Sequence, residues 1–355
     1  MNKLVILIMS ISMFIQSGAF SLLEGCTNYF KEADLCKTRN VEFIHSNDTL
    51  NSSDIEEFVS GGGVIISKGS INSNVTNNLK MPVEVDELHH NTGEADIATL
   101  YFNYEDGKKG VYVISGKQSD SNVYTYIEEA LDNIESIKLE RNATISTTSS
   151  CKEFIASVTT DVVTYIPKGK LTVNYDLYTA QNLYDYDYYV IKATLIGKPG
   201  CVMYNDGNTN YQKKYYGLGM KSKMTASSTG VTVYSSGPSS TVNSNSYSIN
   251  LGPILQKGAS PQFQVVLAYT RNISNFDITE STSANSNSWE VDLNGDAKRK
   301  QCKFEPAAAF KCSTVKQYIE VNLYTSYDVD SLDTFRTHIV SDRTIRIYPT
   351  YYVFK

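Results

Sequence analysis

The sequence has one tryptophan, four histidines and no long run of lysine and arginine. Binding a phosphate backbone needs a concentrated basic face, so a chain of net charge −6 without one is not a nucleic-acid binder. The histidines are His45, His89, His90 and His338, and none sits in a GxSxG or HExxH motif. With no nucleophile elbow and no metal-ligand spacing, nothing points to an enzyme, and no metal or other cofactor is expected. After the first residues no apolar run is long enough to span a membrane as a helix, which takes about 20 residues.

The first residues themselves form an export signal. Lys3 supplies a positive start, Leu4 to Ile15 an apolar stretch, and Ser17-Gly18-Ala19 a small-residue cleavage site, so residues 1–19 are expected to be removed before Phe20. A membrane anchor is the alternative, but the apolar stretch is short and contains Ser10 and Ser12. A lipoprotein reading would use Cys26, which lies well past the apolar stretch behind Glu24.

A chain of 355 residues exceeds the usual size of one core, so two domains are expected. Tyrosine is abundant, at 26, and Ser, Thr and Asn are frequent, while only 20% of residues are charged. That mixture favours strands and polar turns. Six cysteines in an exported chain read as disulfides. Spacing groups them as Cys26 with Cys36, Cys302 with Cys312 and Cys151 with Cys201, one of many connectivities that six allow. Asn47, Asn51, Asn74, Asn142 and Asn272 head Asn-x-Ser/Thr triplets, acceptors in a eukaryotic secretory pathway and otherwise chance matches.

Residues 20–148 have a mixed pattern. Ser53-x-x-Glu56 reads as a capping box opening a helix that Gly61-Gly62-Gly63 ends, followed by a buried strand at Val64-Ile65-Ile66. Ile97 to Tyr104 and Val111 to Ile114 flank the turn Glu105-Asp106-Gly107, and a second helix carries Val123, Ile127, Leu131 and Ile134 on one face. This predicts a small α+β domain ending in Arg141 to Ser150. Across 149–355 the pattern alternates, at Leu171, Val173, Tyr175 and Leu177, at Tyr189, Ile191, Ala193 and Leu195, at Ile319, Val321 and Leu323, and at Ile345 and Ile347. Strands with one apolar face predict a mainly β fold, an antiparallel β-sandwich.

Within 224–278 the writing changes. Met224 to Ser246 is mostly Ser, Thr, Gly and Asn, too polar for a core strand. Then Tyr247, Ile249 and Leu251 alternate with Ser248 and Asn250, and Phe263, Val265, Leu267 and Tyr269 alternate with Gln262, Gln264, Ala268 and Thr270. Pro253, Gly258 and Pro261 mark the connection. Pairing Leu251 with Phe263, Ile249 with Val265 and Tyr247 with Leu267 puts every large apolar side chain on one face of a hairpin. Such a hairpin either covers a sandwich core or joins copies of itself in a barrel, lipid on the apolar face and water on the polar one. Spanning strands need about 9 to 11 residues, which 243–251 and 262–270 supply.

The run Tyr247 to Gly252, the Gly258-Ala-Ser-Pro261 turn, the stretch Leu267 to Ile278 and Trp289 resemble the stem hairpin and following strand of the leukocidin/hemolysin family of β-pore-forming toxins, nearest to its Vibrio-type cytolysins. The resemblance implies a secreted monomer that binds a target-cell membrane through a lipid or glycan receptor, assembles with itself into a ring, and inserts the stem. It also implies that residues 20–148 are similar to a removable pro-domain. Between Trp289 and Tyr318, where the family has a long aromatic rim, this chain is short and carries only Phe304 and Phe310. The alternative function is a secreted, non-lytic β-sandwich binding or adhesion protein.

Three further features have a functional and a plain reading. His89-His90 with Glu94 and Asp96 would suit a metal, but adjacent strand residues point to opposite faces, so a solvated loop is expected. Asp292-x-Asn294-Gly295-Asp296 begins like a calcium loop with its glycine misplaced, and is read as a hairpin turn. Tyr184 to Tyr189 and Tyr348 to Tyr352 could line a carbohydrate or headgroup site, or simply pack on a strand surface.

Overall fold

The computed structural model describes residues 31–45, 52–86, 95–116, 122–145, 153–163, 168–183, 186–203, 215–238, 276–312, 316–331 and 334–348. Two sheets pack face to face. The first has the order β1-β2-β4-β5-β6-β7-β8-β14-β10, with β13 also paired to β8. Its strands are β1 (Val41–Ile44), β2 (Val64–Lys68), β4 (Ala95–Asn103), β5 (Lys109–Gly116), β6 (Glu153–Val163), β7 (Gly169–Leu183), β8 (Tyr186–Pro199), β10 (Val231–Gly237), β13 (Cys302–Phe304) and β14 (Ala307–Cys312). The second sheet runs β11-β12-β9-β15-β16-β3. It comprises β3 (Val83–Val85), β9 (Tyr216–Ala226), β11 (Phe276–Thr282), β12 (Ser286–Leu293), β15 (Ile319–Ser331) and β16 (Thr334–Ile347). The mainly β, antiparallel sandwich architecture is therefore present.

The period-2 positions are the core. Leu171, Val173, Tyr175 and Leu177 of β7, and Tyr189, Ile191, Ala193 and Leu195 of β8, are buried between the sheets with Ile319, Val321 and Leu323 of β15 and Ile345 and Ile347 of β16. Burial of each such side chain is worth about 1.5–3 kcal/mol. Alternate residues of β7 and β9 face outward and stay half-exposed.

A helix forms at Ser52–Ser60, starting one residue before the expected cap, and stops where Gly62 takes φ 89°. Only glycine enters that region without a Cβ penalty. The hairpin between β4 and β5 turns at Gly107, φ 76°. The long helix Val123–Ile145 lays Ile127, Ala130, Leu131 and Ile134 on the outer face of β2, β4 and β5. Strand β4 is thus covered on both sides, and every residue after Ala95 is buried.

The segment before Cys151 is built into both sheets. β5 pairs in parallel with β6 from Lys109↔Ala156 to Ser115↔Val162, the long helix being the crossover. β3 adds an edge to the second sheet by pairing with β16. Arg343 of β16 donates to both carboxylate oxygens of Asp96 at 2.6 and 3.1 Å, to Ser115 at 2.7 Å and to the Asp86 carbonyl at 3.1 Å. Both side chains of this ion pair are 1% exposed. Asp96, weighed above as a metal ligand, is instead an inter-sheet tie.

Candidate functional site

Segment 239–275 joins β10 to β11, which are terminal strands of the two sheets among the described residues. β10 ends the first sheet and is held by β14, from Val231↔Cys312 to Gly237↔Ala307, with a register shift between Val233 and Ser235. β11 ends the second sheet and is held by β12, from Phe276↔Leu293 to Thr282↔Asn287. The stretch 224–238, read as too polar for a core strand, supplies the end of β9, where Met224 is fully buried, and edge strand β10. Its polar side chains suit an edge that needs only one buried flank.

These two edges are bound to each other. Trp289, fully buried on β12, donates its indole N–H to the Pro238 carbonyl at 3.1 Å. The Val233 amide donates to the Ala284 carbonyl at 2.8 Å in the β11–β12 turn. Glu280 accepts from Ser236 at 2.6 Å and from Asn287 at 2.8 Å. Trp289 stands opposite Glu280, and Phe276 lies four residues along β11 from Glu280, about 13 Å away at strand spacing. The two ends of the segment therefore lie on strands that contact each other. The expected stem residues Tyr247, Ile249, Leu251, Phe263, Val265, Leu267 and Tyr269, their polar alternates Ser248, Asn250, Gln262, Gln264, Ala268 and Thr270, and Pro253, Gly258 and Pro261 all lie outside the described residues. The Ser236, Glu280 and Asn287 network was not visible in the sequence, because no local spacing links residues 44 apart.

The expected pairing of Cys302 with Cys312 is corrected. No disulfide joins any two of Cys36, Cys201, Cys302 and Cys312, and Cys26 and Cys151 lie outside the described residues. Cys302 pairs with Gly197 of β8 and Cys312 with Asp187 of the same strand. Ten residues of strand put them about 33 Å apart, against a Cα separation of at most about 7 Å in a disulfide. Nearness in sequence misled because β13 and β14 extend along one neighbour instead of turning back. Buried among Gly197, Met220 and the core, Cys302 packs as a small hydrophobe, and burial pushes its thiol up to about 12.

The remaining expectations resolve individually. Phe304 and Phe310 are buried core residues and cannot form a rim. Asp292 lies in β12, and Gly295–Arg299 forms a short 3₁₀ turn leading toward β13, so the stretch is not a hairpin turn. Tyr188 and Tyr189 are buried in β8, and Tyr348 packs on Tyr318 at 5.4 Å. His89 and His90 lie outside the described residues; His338 Nδ1 sits 2.7 Å from Asp328, which Arg336 also contacts. No group of three metal-ligating side chains occurs among the described residues.

No family model matches this chain, and no curated protein sequence does either. Solved structures similar to it include one described as a pore forming protein, at TM-score 0.32 and 9% identity over 56% of this chain and 91% of that one. The delta-toxin of Clostridium perfringens is similar at TM-score 0.30 and 8% identity, over 78% of this chain and 93% of that one. The membrane-inserted form of the NetB toxin of the same organism is similar at TM-score 0.28 and 8% identity, over 56% and 98% respectively. Pore-forming toxins thus recur among its structural neighbours. Likeness at this level carries no functional argument, which rests on this chain's own residues.

Proposed function

We propose that this protein is exported by its residues 1–19, assembles with itself into a ring on a target-cell membrane, and inserts a β-hairpin from within 239–275 as its share of a transmembrane barrel. Residues 20–148 and 149–355 are its α+β and sandwich portions. One observation supports the reading: a membrane-length pair of alternating strands, 243–251 and 262–270, falls in the segment that joins β10 to β11, two strands tied to each other at its ends. Tyr247, Ile249, Leu251, Phe263, Val265, Leu267 and Tyr269 then face lipid. Ser248, Asn250, Gln262, Gln264, Ala268 and Thr270 face the water-filled lumen, and Pro253, Gly258 and Pro261 form the turn. No catalytic chemistry and no cofactor enter this reading.

Dye release from liposomes tests it through two substitutions one residue apart. An arginine on the lipid face near mid-bilayer costs about 2–4 kcal/mol per strand, repeated around the ring, whereas the lumen face tolerates charge. Val265→Arg should abolish release while the soluble protein keeps its melting temperature. Gln264→Arg should keep release and shift the pore toward anions. Equal release from both variants, or none from the wild type, overturns insertion and leaves a non-lytic binding protein.

A further inference from the structure

A groove of about 620 Å³ lies between the long helix and the outer face of β7 and β8. Its helical wall is a single stripe, with Asn122, Tyr126, Glu129 and Asn133 at three- and four-residue spacing. The stripe neighbours the apolar one that packs on β4 and β5, so the side chains a surface helix normally gives to open water here look across at a second wall. Lys170 and Thr172 of β7 form the floor and Gln301 the far rim.

The floor is held rigid from below. Asp161, 1% exposed, accepts from Thr172 and lies 2.6 Å from Lys170, whose ammonium also reaches Glu129 at 3.1 Å. Asn133 donates to the fully buried Tyr112 hydroxyl at 3.0 Å. Ordinary sandwich surfaces do not bury a carboxylate and clamp a lysine across to a neighbouring helix. The arrangement fixes polar groups in place before any ligand arrives, and pre-organisation is what lets a polar site gain affinity.

We infer that this groove binds a neutral oligosaccharide. Its volume is in the range of small-molecule sites, about 300–1,000 Å³. Its charges balance: Asp161, Glu129 and Asp132 are offset by Lys170, Lys198 and Arg39, the last pairing with Asp132 at 2.7 Å. That balance offers no net attraction to a phosphate or to a cation. Amides and carboxylates that donate and accept in fixed directions match the paired hydroxyls of a sugar ring. The inference is independent of membrane insertion: a receptor groove serves a pore former and an adhesion protein equally.

The full chain is applied to a printed array of neutral and sialylated oligosaccharides, beside Lys198→Ala, Gln301→Ala and, as a control on the far sheet, Tyr318→Ala. Retention on neutral sugars is expected, weakened by about tenfold in the two groove variants and unchanged in the control, with melting temperatures alike. Liposomes bearing a glycolipid with the retained sugar, against the same sugar on a soluble polymer, then separate a membrane source from a free one. Binding confined to sialylated sugars, no binding, or undiminished binding by both groove variants would falsify the assignment. Dye release from sugar-free liposomes reads insertion separately, so one idea can fail while the other stands.

Discussion

Asp96 and Arg343 show how one side chain acquires a meaning that its sequence neighbours do not suggest. Beside His89, His90 and Glu94, Asp96 resembles part of a ligand set; in the fold it is bonded twice to an arginine 247 positions away. Removing one partner leaves an uncompensated buried charge, so Asp96→Ala should cost about 3–5 kcal/mol in urea unfolding. The paired change Asp96→Leu with Arg343→Met should cost far less, since it removes both desolvation penalties. Equal losses would mean the pair is not the tie described. The thiols make a second test. Exposed Cys36 should take up iodoacetamide in the native, reduced protein at pH 8, while Cys302, whose thiol burial holds near 12, should be alkylated only after unfolding, as peptide mass mapping would read.

Between elements, the polar ties decide how the helices sit on the sheet. Glu32, in the helical residues 31–38, accepts from Tyr124 of the long helix at 2.7 Å and contacts Lys68 of β2, with His45 at 3.5 Å. Burial alone would raise its carboxyl, but the hydrogen bonds from Lys68 and Tyr124 and the nearby positive charge outweigh it, so the group is held below the usual carboxylate range. A carboxyl lowered by folding contributes stability that is complete above its unfolded value and is lost as pH falls through its folded value. Urea midpoints from pH 7 downward should therefore fall more steeply below about pH 4.5 for the wild type than for Glu32→Gln. Parallel curves would remove Glu32 from the acid transition. Most elements themselves were legible beforehand. β7, β8, β15 and β16 are at the alternating positions because a strand half in water writes its burial at period two. The β4–β5 hairpin was marked by Gly107, and the long helix by its apolar spacing. Edge strand β10 was missed for the converse reason: with one flank buried, its sequence need not alternate.

At the scale of the whole molecule, the N-terminal part is not a module resting beside the sandwich. β5 and β6 share one sheet, β3 closes the other, and one hydrophobic core includes Val59, Val83 and Val113 together with Val173, Val231 and Ile345. A protease site placed in residues 146–152 should therefore yield two fragments that separate in denaturing gels but co-elute in native gel filtration. Fragments eluting apart would show that these pairings do not hold the molecule together. The sequence alone determined the mainly β class, most strands and the alternation of apolar and polar residues in 243–251 and 262–270, all of which follow from neighbours a few residues apart. Tertiary structure alone decided the parallel joining of β5 to β6, the separation of Cys302 from Cys312, the burial of Asp96 against Arg343 and the polar groove beneath the long helix. Each depends on which distant segments become adjacent, and burial, charge pairing and sheet register are set by that adjacency rather than by the order of residues along the chain.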